Sequence, residues 1–382
     1  MTASLRASYD IDHVGTISAL SAYQHNRNML SVDGDASSTL LIGFIPKIPD
    51  KNFMQELNFA SEQFGPVSFV SGLFYYSDKT GHNPILGFFP SPTISYARVR
   101  TEAYVAYTEV NVHFTDQLVG IVGARYSHER RPVRYARSKA GLATATQYHK
   151  SYNSVTPRVS LRYEIDPRTS ICATYSQGFK SGVYYANLEE TTPVKPEKVK
   201  SYELGLKTNR GDFSRNLAGS YIDYTNLQVS INRGGFDTPD NAGATRNYGV
   251  GLEGKQRVTP YFTVAGGFAW LHGRYRNYPD ATIIVPVPGG GNTAVPNVDL
   301  SGRQLLRAPK FTFNLNPNYS HQFEFGSIEA SVASTTRRPS RWSRAAASAR
   351  RATRRSTYSS TSIQETPAFG RESGARTSRM RR

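Results

Sequence analysis

Residues 155–165, which read VTPRVSLRYEI, decide the fold because apolar and polar residues alternate along them without a break. The apolar positions are Val155, Pro157, Val159, Leu161, Tyr163 and Ile165, and the positions between them are Thr156, Arg158, Ser160, Arg162 and Glu164. A helix would spread these charges around its axis, whereas a strand places all of them on one face. The stretch therefore predicts a β-strand with one apolar and one polar face.

The same alternation recurs along most of the chain. We predict fourteen strands near residues 3–10, 16–26, 53–61, 67–77, 99–112, 117–128, 153–164, 169–179, 199–208, 214–230, 244–256, 261–275, 306–320 and 325–333. Within each successive pair the strands are joined by a tight turn, such as Thr115-Asp116. Between the pairs the connections are long, and 27–52, 78–98, 129–152 and 276–305 are predicted to be loops.

Sorting of connections by length is typical of transmembrane β-barrels, which have short turns at one end and long loops at the outer end. Many of the predicted strands also exceed the ~9–11 residues that a tilted strand needs to cross a bilayer. A soluble β-sandwich fits the alternation but has no reason to sort its loops in this way. The expected fold is an all-β, antiparallel transmembrane β-barrel, with the long loops together at one end.

The parity of the alternation also predicts which residues meet the lipid. Apolar side chains of a transmembrane strand face outward, and the polar ones face the lumen. We therefore expect Leu161, Tyr202, Leu204 and Phe313 to lie on the outward face. Tyrosines near strand ends, such as Tyr75 and Tyr163, suit an interfacial aromatic girdle.

Composition agrees with a β-rich membrane protein. The 382 residues include 24 Tyr, 19 Phe and 31 Gly, yet the hydrophobic fraction is only 38%, which a barrel with a wet interior tolerates. No stretch approaches the roughly 20 apolar residues of a membrane helix. The first ten residues lack the features of a signal peptide, which either counts against an outer-membrane protein or marks a truncated start.

The last 48 residues, 335–382, differ from the rest. They contain 13 Arg, no Lys and only two acids, and they account for +11 of the net charge of +17. A basic arm for nucleic acid or an anionic membrane is one interpretation. Because such a segment lacks the aliphatic residues that would offset its ordering entropy, we predict a disordered or out-of-frame tail. The expected division is a partial barrel at 1–334 and an Arg/Ser-rich tail at 335–382, with no nucleic-acid partner.

Several segments, in order, resemble strands from the C-terminal barrel of TonB-dependent receptors. The most specific is residues 194–207, which read VKPEKVKSYELGLK. The others are 156–163, 173–182, 221–229, 241–243 with 249–253, and 307–310. The resemblance is strong over about 155–315, and residues 1–154 fit the same architecture with less distinctive sequence.

This resemblance implies a receptor in the Gram-negative outer membrane that takes up a small-molecule ligand, such as a ferric siderophore, through a gated barrel. It implies outer-membrane lipid and a TonB-type energy-coupling protein as partners. Large transporters of this kind close with 22 strands around a plug. The fourteen strands are therefore expected to be part of a barrel that lacks the plug, the coupling box and the closing strands, so we do not expect this chain to transport by itself.

No catalytic constellation is evident in the sequence. The eight His residues are scattered, and none forms a His-x-x-x-His or His-Glu-x-x-His pair. The run Pro288–Gly291 lacks the Lys-Ser/Thr of a phosphate loop, and the lone Cys172 excludes a multi-cysteine zinc site. We therefore expect no enzyme activity, no cofactor and no resident metal.

Function is instead expected to combine ligand binding with gating. Aromatic residues in outer loops could pack on a flat ligand, and lumen charges could attract an anionic one. The candidates for loop binding are Phe88, Phe89, Tyr184 and Tyr185, and the candidates for the lumen are Arg158, Arg162, Glu203 and Lys207. A passive porin-like channel and a soluble all-β binding protein with a basic nucleic-acid-binding tail remain as alternatives; a plug upstream in the gene would exclude the first.

Overall fold

The structure is a computed structural model that describes residues 1–33, 43–87, 93–139, 142–184, 193–233, 236–286, 292–324, 326–337, 356–357 and 362–364. Within these ranges every regular secondary-structure element is a β-strand. The described residues contain no helix long and apolar enough to cross a membrane.

Strands follow one another along the whole described chain. They are β1 (Thr2–Ile11), β2 (Gly15–Met29), β3 (Val32–Asp33), β4 (Gly43–Ser61), β5 (Val67–Gly87), β6 (Thr93–His113), β7 (Leu118–Lys139), β8 (Leu142–Asp166), β9 (Thr169–Lys180), β10 (Glu197–Asn209), β11 (Phe213–Arg233), β12 (Phe236–Arg257), β13 (Phe262–Asn277), β14 (Ala281–Pro286), β15 (Asn292–Val298), β16 (Phe311–Phe323), β17 (Gly326–Ser331), β18 (Ala333–Arg337), β19 (Ser356–Thr357) and β20 (Ser362–Gln364). Each of the fourteen predicted strands has a counterpart among them.

The long strands form one antiparallel meander. Each pairs with its successor, from β1–β2 through β2–β4, β9–β10 and β13–β16 to β16–β17. The hairpin β14–β15 pairs separately from the main sheet. This order gives the meander expected for an up-and-down barrel, in which neighbours in sequence are neighbours in space.

Short turns and long connections lie at opposite ends of the sheet. The turn from β1 to β2 is closed by a hydrogen bond in which the Val14 amide donates to the Ile11 carbonyl at 3.0 Å. Because the meander is antiparallel, every second connection falls at the same end, and 27–52, 129–152 and 276–305 therefore share one end. The predicted sorting of connections is confirmed.

The predicted length of several loops is wrong. β5 continues to Gly87 and β6 begins at Thr93, so most of 78–98 is strand; β7 and β8 likewise fill most of 129–152. β8 has 25 residues, about 80 Å of extended chain, although a tilted strand crosses the bilayer with ~9–11. Outside the lipid both faces of a strand can be polar, so the alternation that marks a strand in the sequence fades there.

Register shows that the sheet has two faces of opposite character. One row of directly paired residues is apolar from strand to strand: Leu118, Tyr163, Ile171, Leu206, Leu217, Leu252, Phe268 and Phe313. The adjacent row is polar or glycine: Glu164, Ser170, Lys207, Asn216, Glu253, Gly267, Asn314 and Thr335. We call the two surfaces the apolar face and the polar face.

The four residues predicted to face outward share the apolar face. Leu161 and Leu204 both pair with Ala173, Tyr202 lies two residues from Leu204, and Phe313 belongs to the apolar row. All four are exposed, with Leu204 at 60%. Exposure of such large apolar side chains to water would be unfavourable. Contact with the acyl chains of lipid would remove them from water.

An aromatic girdle crosses the apolar face on the side of the long connections. It comprises Tyr23, Phe53, Tyr75, Tyr104, Tyr126, Tyr175, Tyr202, Tyr221 and Tyr248. Ring centroids of neighbours approach to 5.1 Å for Tyr75–Tyr104 and 5.0 Å for Tyr175–Tyr202. We take the part of each strand between its short turn and this girdle as the membrane-spanning segment, and the part beyond the girdle as the outer extension.

Within the described residues the sheet is open. β1 pairs with β2 alone, and the opposite edge, β17 and β18, pairs with β16 and with the short β20 and β19. No described strand joins β1 to that edge. The expectation of a partial barrel is therefore confirmed.

The predicted boundary at residue 334 lies inside a strand. β18 continues the register of β17 along β16, and the break at Val332 lies opposite Pro317, which has no amide to donate. Thr335 pairs with Asn314, its neighbours pair with the adjacent residues of β16, and Ser362–Gln364 pairs with β17. These residues belong to the sheet. The expectation of a disordered or out-of-frame tail stays a prediction, because the rest of 338–382 lies outside the described residues.

Candidate functional site

The four predicted lumen residues all lie on the polar face, but they do not converge on one site. Arg158 pairs across the sheet with Gly123, which in turn pairs with Glu109. Because Gly123 has no side chain, the Arg158 guanidinium reaches over it to the Glu109 carboxylate at 2.8 Å. Half of the Arg158 side chain is exposed, so this ion pair contributes little stability.

Arg162 and Lys207 lie closer to the short turns. The Arg162 guanidinium lies 3.2 Å from the Glu164 carboxylate. Lys207 and Glu164 line a concave region of about 950 Å³ together with Asn216, Glu253 and Asn314. Glu203 lies across from Thr174 and Ser220 on the same face. The polar face is thus lined with mixed charges, which suits water and polar solutes rather than one tightly held ligand.

Of the four predicted loop residues, only Tyr184 can be placed. Phe88, Phe89 and Tyr185 lie outside the described residues. Tyr184 is 9% exposed, and its ring stacks on that of Tyr148 with centroids 5.6 Å apart. Tyr148 belongs to the outer extension of β8, so the pair forms an aromatic surface near the outer mouth of the sheet.

A polar network surrounds this aromatic pair. The Ser181 hydroxyl donates to the Glu129 carboxylate at 2.6 Å, and Arg131 lies 3.3 Å from the same oxygen. The Gln228 side-chain amide donates to the Ser181 carbonyl at 2.9 Å, which ties β11 to the segment after β9. Ser181 is only 2% exposed, so the network is shielded from bulk water.

Tyr152 completes the site. It lies in one row with Tyr76, Ala103 and Glu129, which places four strands in register at this point. Its hydroxyl is buried and, within the described part of the chain, has no hydrogen-bond partner. A Cβ on Gly182 would clash with this hydroxyl, so glycine is required there. A buried unpaired hydroxyl is costly unless something else bonds to it.

A carboxyl pair lies beside this network on the polar face. Burial, followed by the hydrogen bond and the negative charge of Asp50, raises the pKa of Asp78 to about 6, although the positive charge of Arg131 acts in the opposite direction. Asp78 lies three residues beyond the girdle residue Tyr75, in the outer extension. We call the whole group the outer-mouth cluster: Asp50, Tyr76, Asp78, Glu129, Arg131, Tyr148, Tyr152, Ser181 and Tyr184.

Sequence reasoning missed most of this cluster. Glu129, Arg131, Tyr148 and Tyr152 fall in 129–152, which was expected to be a loop. The available signal was the alternation of Val133 and Tyr135, which are 3% and 4% exposed, with the exposed Arg134. The cluster offers a guanidinium, carboxyl groups and phenol rings, a combination that fits a ligand with both flat and oxygen-rich parts. No group of three or more His, Cys, Asp or Glu side chains in the described ranges could hold a metal ion.

Comparison with known proteins identifies the family. The family model described as "TonB dependent receptor-like, beta-barrel" matches residues 2–372. The chain belongs to the TonB-dependent receptor family. Members are outer-membrane proteins of Gram-negative bacteria, which fixes the surroundings of the two faces: the apolar face meets lipid, and the long connections lie outside the cell.

One relative of this chain shows the degree of sequence similarity within the family. The pesticin receptor of Yersinia enterocolitica is 27% identical over 271 residues, which are 66% of this chain and 39% of the relative. The chain thus spans about two fifths of the length of that relative.

Solved structures of TonB-dependent receptors share the fold. The ferric yersiniabactin uptake receptor FyuA from Yersinia pestis superposes with a TM-score of 0.70 at 21% identity, covering 87% of this chain and 49% of FyuA. The siderophore receptor PiuA from Acinetobacter baumannii gives a TM-score of 0.66 at 15% identity, covering 87% of this chain and 54% of PiuA. In both, the described sheet corresponds to about half of the larger protein.

Proposed function

We propose that this chain is the ligand-binding barrel portion of a receptor that takes up a ferric siderophore or a similar large nutrient. The family match over residues 2–372 carries this proposal. Two of the proteins it resembles are named for ferric yersiniabactin uptake and as a siderophore receptor. A TonB-type protein of the inner membrane would supply the energy, as the family name implies.

The outer-mouth cluster is the proposed ligand contact on this chain. Tyr184 stacked on Tyr148 offers a ring surface, the unpaired hydroxyl of Tyr152 offers a donor, and Arg131 offers a positive charge. These groups suit an iron chelate, whose shell of oxygen atoms is often anionic and whose organic frame is often aromatic. Arg158, Arg162, Glu203 and Lys207 would line the water-filled lumen below it.

The proposal assigns no enzyme activity. The family consists of receptors and transporters, so no catalytic role is assigned to the described groups. The receptor would bind its cargo outside, and the iron would be cargo rather than a cofactor. A passive porin-like channel differs in one observable respect, because its uptake would not depend on the inner-membrane energy source.

Equilibrium binding tests the proposed contact on this chain. The refolded chain in detergent is titrated with ferric catecholate, hydroxamate and phenolate siderophores, and quenching of protein fluorescence is followed. For the class that binds, Tyr184→Ala and Arg131→Gln should each weaken affinity about tenfold, since each removes an interaction of about 1–1.5 kcal/mol. The matched control is Tyr126→Ala, which removes a phenol from the apolar face of the same region and should leave affinity unchanged.

Uptake of radioactive iron by cells that carry the intact receptor gene tests the transport step. Uptake should require both the receptor and a functional TonB protein. Uptake that persists without TonB would support the passive channel instead. Equal losses of binding for Tyr126→Ala and Tyr184→Ala would show that the outer-mouth cluster is not the contact, even if uptake is confirmed.

A further inference from the structure

Positive charges follow the aromatic girdle on the apolar face of β2 to β7. In each of these strands a girdle aromatic residue is followed, two to eight residues further toward the outer end and at the same parity, by Lys or Arg. The pairs include Tyr23 with Arg27, Phe53 with Lys51, Tyr75 with Lys79, Tyr104 with Arg100 and Arg98, and Tyr126 with Arg130 and Arg134. We call the cations Arg27, Lys51, Lys79, Arg98, Arg100 and Arg134 the basic belt.

Register places the basic belt on one continuous surface. Lys51 pairs with Lys79, and Lys79 pairs with Arg100. One step further out, Arg98 pairs with Arg134. The pairing of β6 with β7 keeps one register from the girdle to this point, so Arg98 lies on the same face as Tyr104. The chain neighbours Ala97 and Val133, which lie on the opposite face, are only 5% and 3% exposed, whereas Arg98 and Arg134 are exposed.

Like charges placed directly across a sheet destabilise it unless a counter-charge is present. Among the described residues of these five strands, Glu102 is the only acid beyond the girdle on this face, and it neutralises Arg100 at 2.5 Å. The opposite sector of the sheet is built differently, because Asp223 there binds Arg246 at 2.9 Å and Arg276 at 3.9 Å. The basic belt therefore needs anions from outside the chain.

The height of the basic belt matches the lipid headgroups. Lys79 lies four residues beyond Tyr75, which is about 13 Å along the strand and about 10 Å along the membrane normal at a tilt near 40°. Aromatic girdles lie at the boundary between acyl chains and headgroups. Cations about 10 Å further out, on the face that meets lipid, lie among the headgroups of the outer leaflet.

We propose that the basic belt binds the phosphate groups of lipids in the outer leaflet. A concave surface of about 1210 Å³ includes Arg27, Lys51, Lys79, Arg98, Arg100 and Arg134 in its lining, so one phosphorylated headgroup can contact several cations. Clustered Lys and Arg beside a membrane attract anionic lipid, and the attraction increases with each added cation. The bound lipid would offset repulsion between β4, β5, β6 and β7 and hold their outer extensions at a fixed height.

Lipid titration tests the proposal. The refolded full chain, in a zwitterionic detergent, is titrated by calorimetry with diphosphorylated lipid A, monophosphorylated lipid A, phosphatidylethanolamine and inorganic phosphate. Diphosphorylated lipid A should bind most tightly. The triple variant Lys51→Gln, Lys79→Gln and Arg98→Gln should weaken that binding at least about tenfold. The control Arg125→Gln, Lys150→Gln and Lys255→Gln removes three charges from the polar face and should change the affinity less than about twofold.

Three outcomes would overturn the proposal. The two triple variants could lose equal affinity for diphosphorylated lipid A, or the unsubstituted chain could bind phosphatidylethanolamine as tightly as diphosphorylated lipid A. Inorganic phosphate could also displace the lipid at equal concentration. The last would mark a site for free anions. Heat-dependent electrophoretic mobility reports whether each variant has folded. If the belt variant does not fold, the ranking of the four titrants on the unsubstituted chain decides alone. Siderophore binding has no part in this assay, so its outcome is separate from that of the proposed uptake.

Discussion

Leu161→Arg tests the orientation of the whole sheet. On β8 the apolar-face residues run from Ile165, next to the short turn, to Val155, which pairs with the girdle residue Tyr126. Ten residue steps of about 3.3 Å give about 33 Å of strand, or about 25 Å along the membrane normal at a tilt near 40°, which equals the height of the apolar band. Leu161 then lies about 10 Å from the inner rim, within about 3 Å of the midplane.

A charge at that depth should cost about 2–4 kcal/mol of folding free energy, because arginine must leave water for the centre of the bilayer. Reversible unfolding by guanidinium in lipid vesicles, followed by tryptophan fluorescence, measures the cost. The control is Val155→Arg, which introduces the same side chain at the rim and should cost only about 0–1 kcal/mol.

Equal costs for the two substitutions would refute the depth assignment. A small cost at both positions would refute the assignment of the apolar face to lipid, because an arginine on a lumen face would be hydrated. Leu161 is 48% exposed and Val155 is 63% exposed, so neither result could be attributed to loss of a packed core.

Three further predictions concern the outer mouth and the tail. Gly182→Ala should disrupt the outer-mouth cluster and increase cleavage of the segment after β9 by protease, whereas Gly251→Ala, where an added Cβ meets nothing within 4 Å, should not. Burial raises the pKa of Asp78, so its protonated form is favoured in the folded state and its contribution is lost as pH rises through about 6; Asp78→Asn should therefore raise stability at pH 8 more than at pH 5 in parallel unfolding curves. Protease should also remove most of 338–382 from the refolded chain before it cuts β16, and protection of that segment would show that the tail is a structural part of the barrel.

Much of the fold could be predicted because lipid imposes a strict rule on each strand. Between the short turns and the girdle, one face must be apolar from end to end, and Leu161 and Phe313 were placed correctly on that rule alone. Beyond the girdle the rule no longer applies, since water can meet both faces. There, predicted boundaries for β5, β7 and β8 failed by roughly ten residues, and residues of the outer-mouth cluster were assigned to a loop.

The sequence by itself determined the strand period, the order of the strands, the division of short and long connections, and the family. Those properties depend on neighbours along the chain, and alternation records them directly. Only the tertiary structure decided which residues from distant strands meet: Ser181 with Glu129, Arg158 with Glu109, and Lys79 with Lys51 and Arg100. Cross-strand register fixes these contacts, and a one-residue shift would replace every partner while leaving the sequence pattern of each strand unchanged.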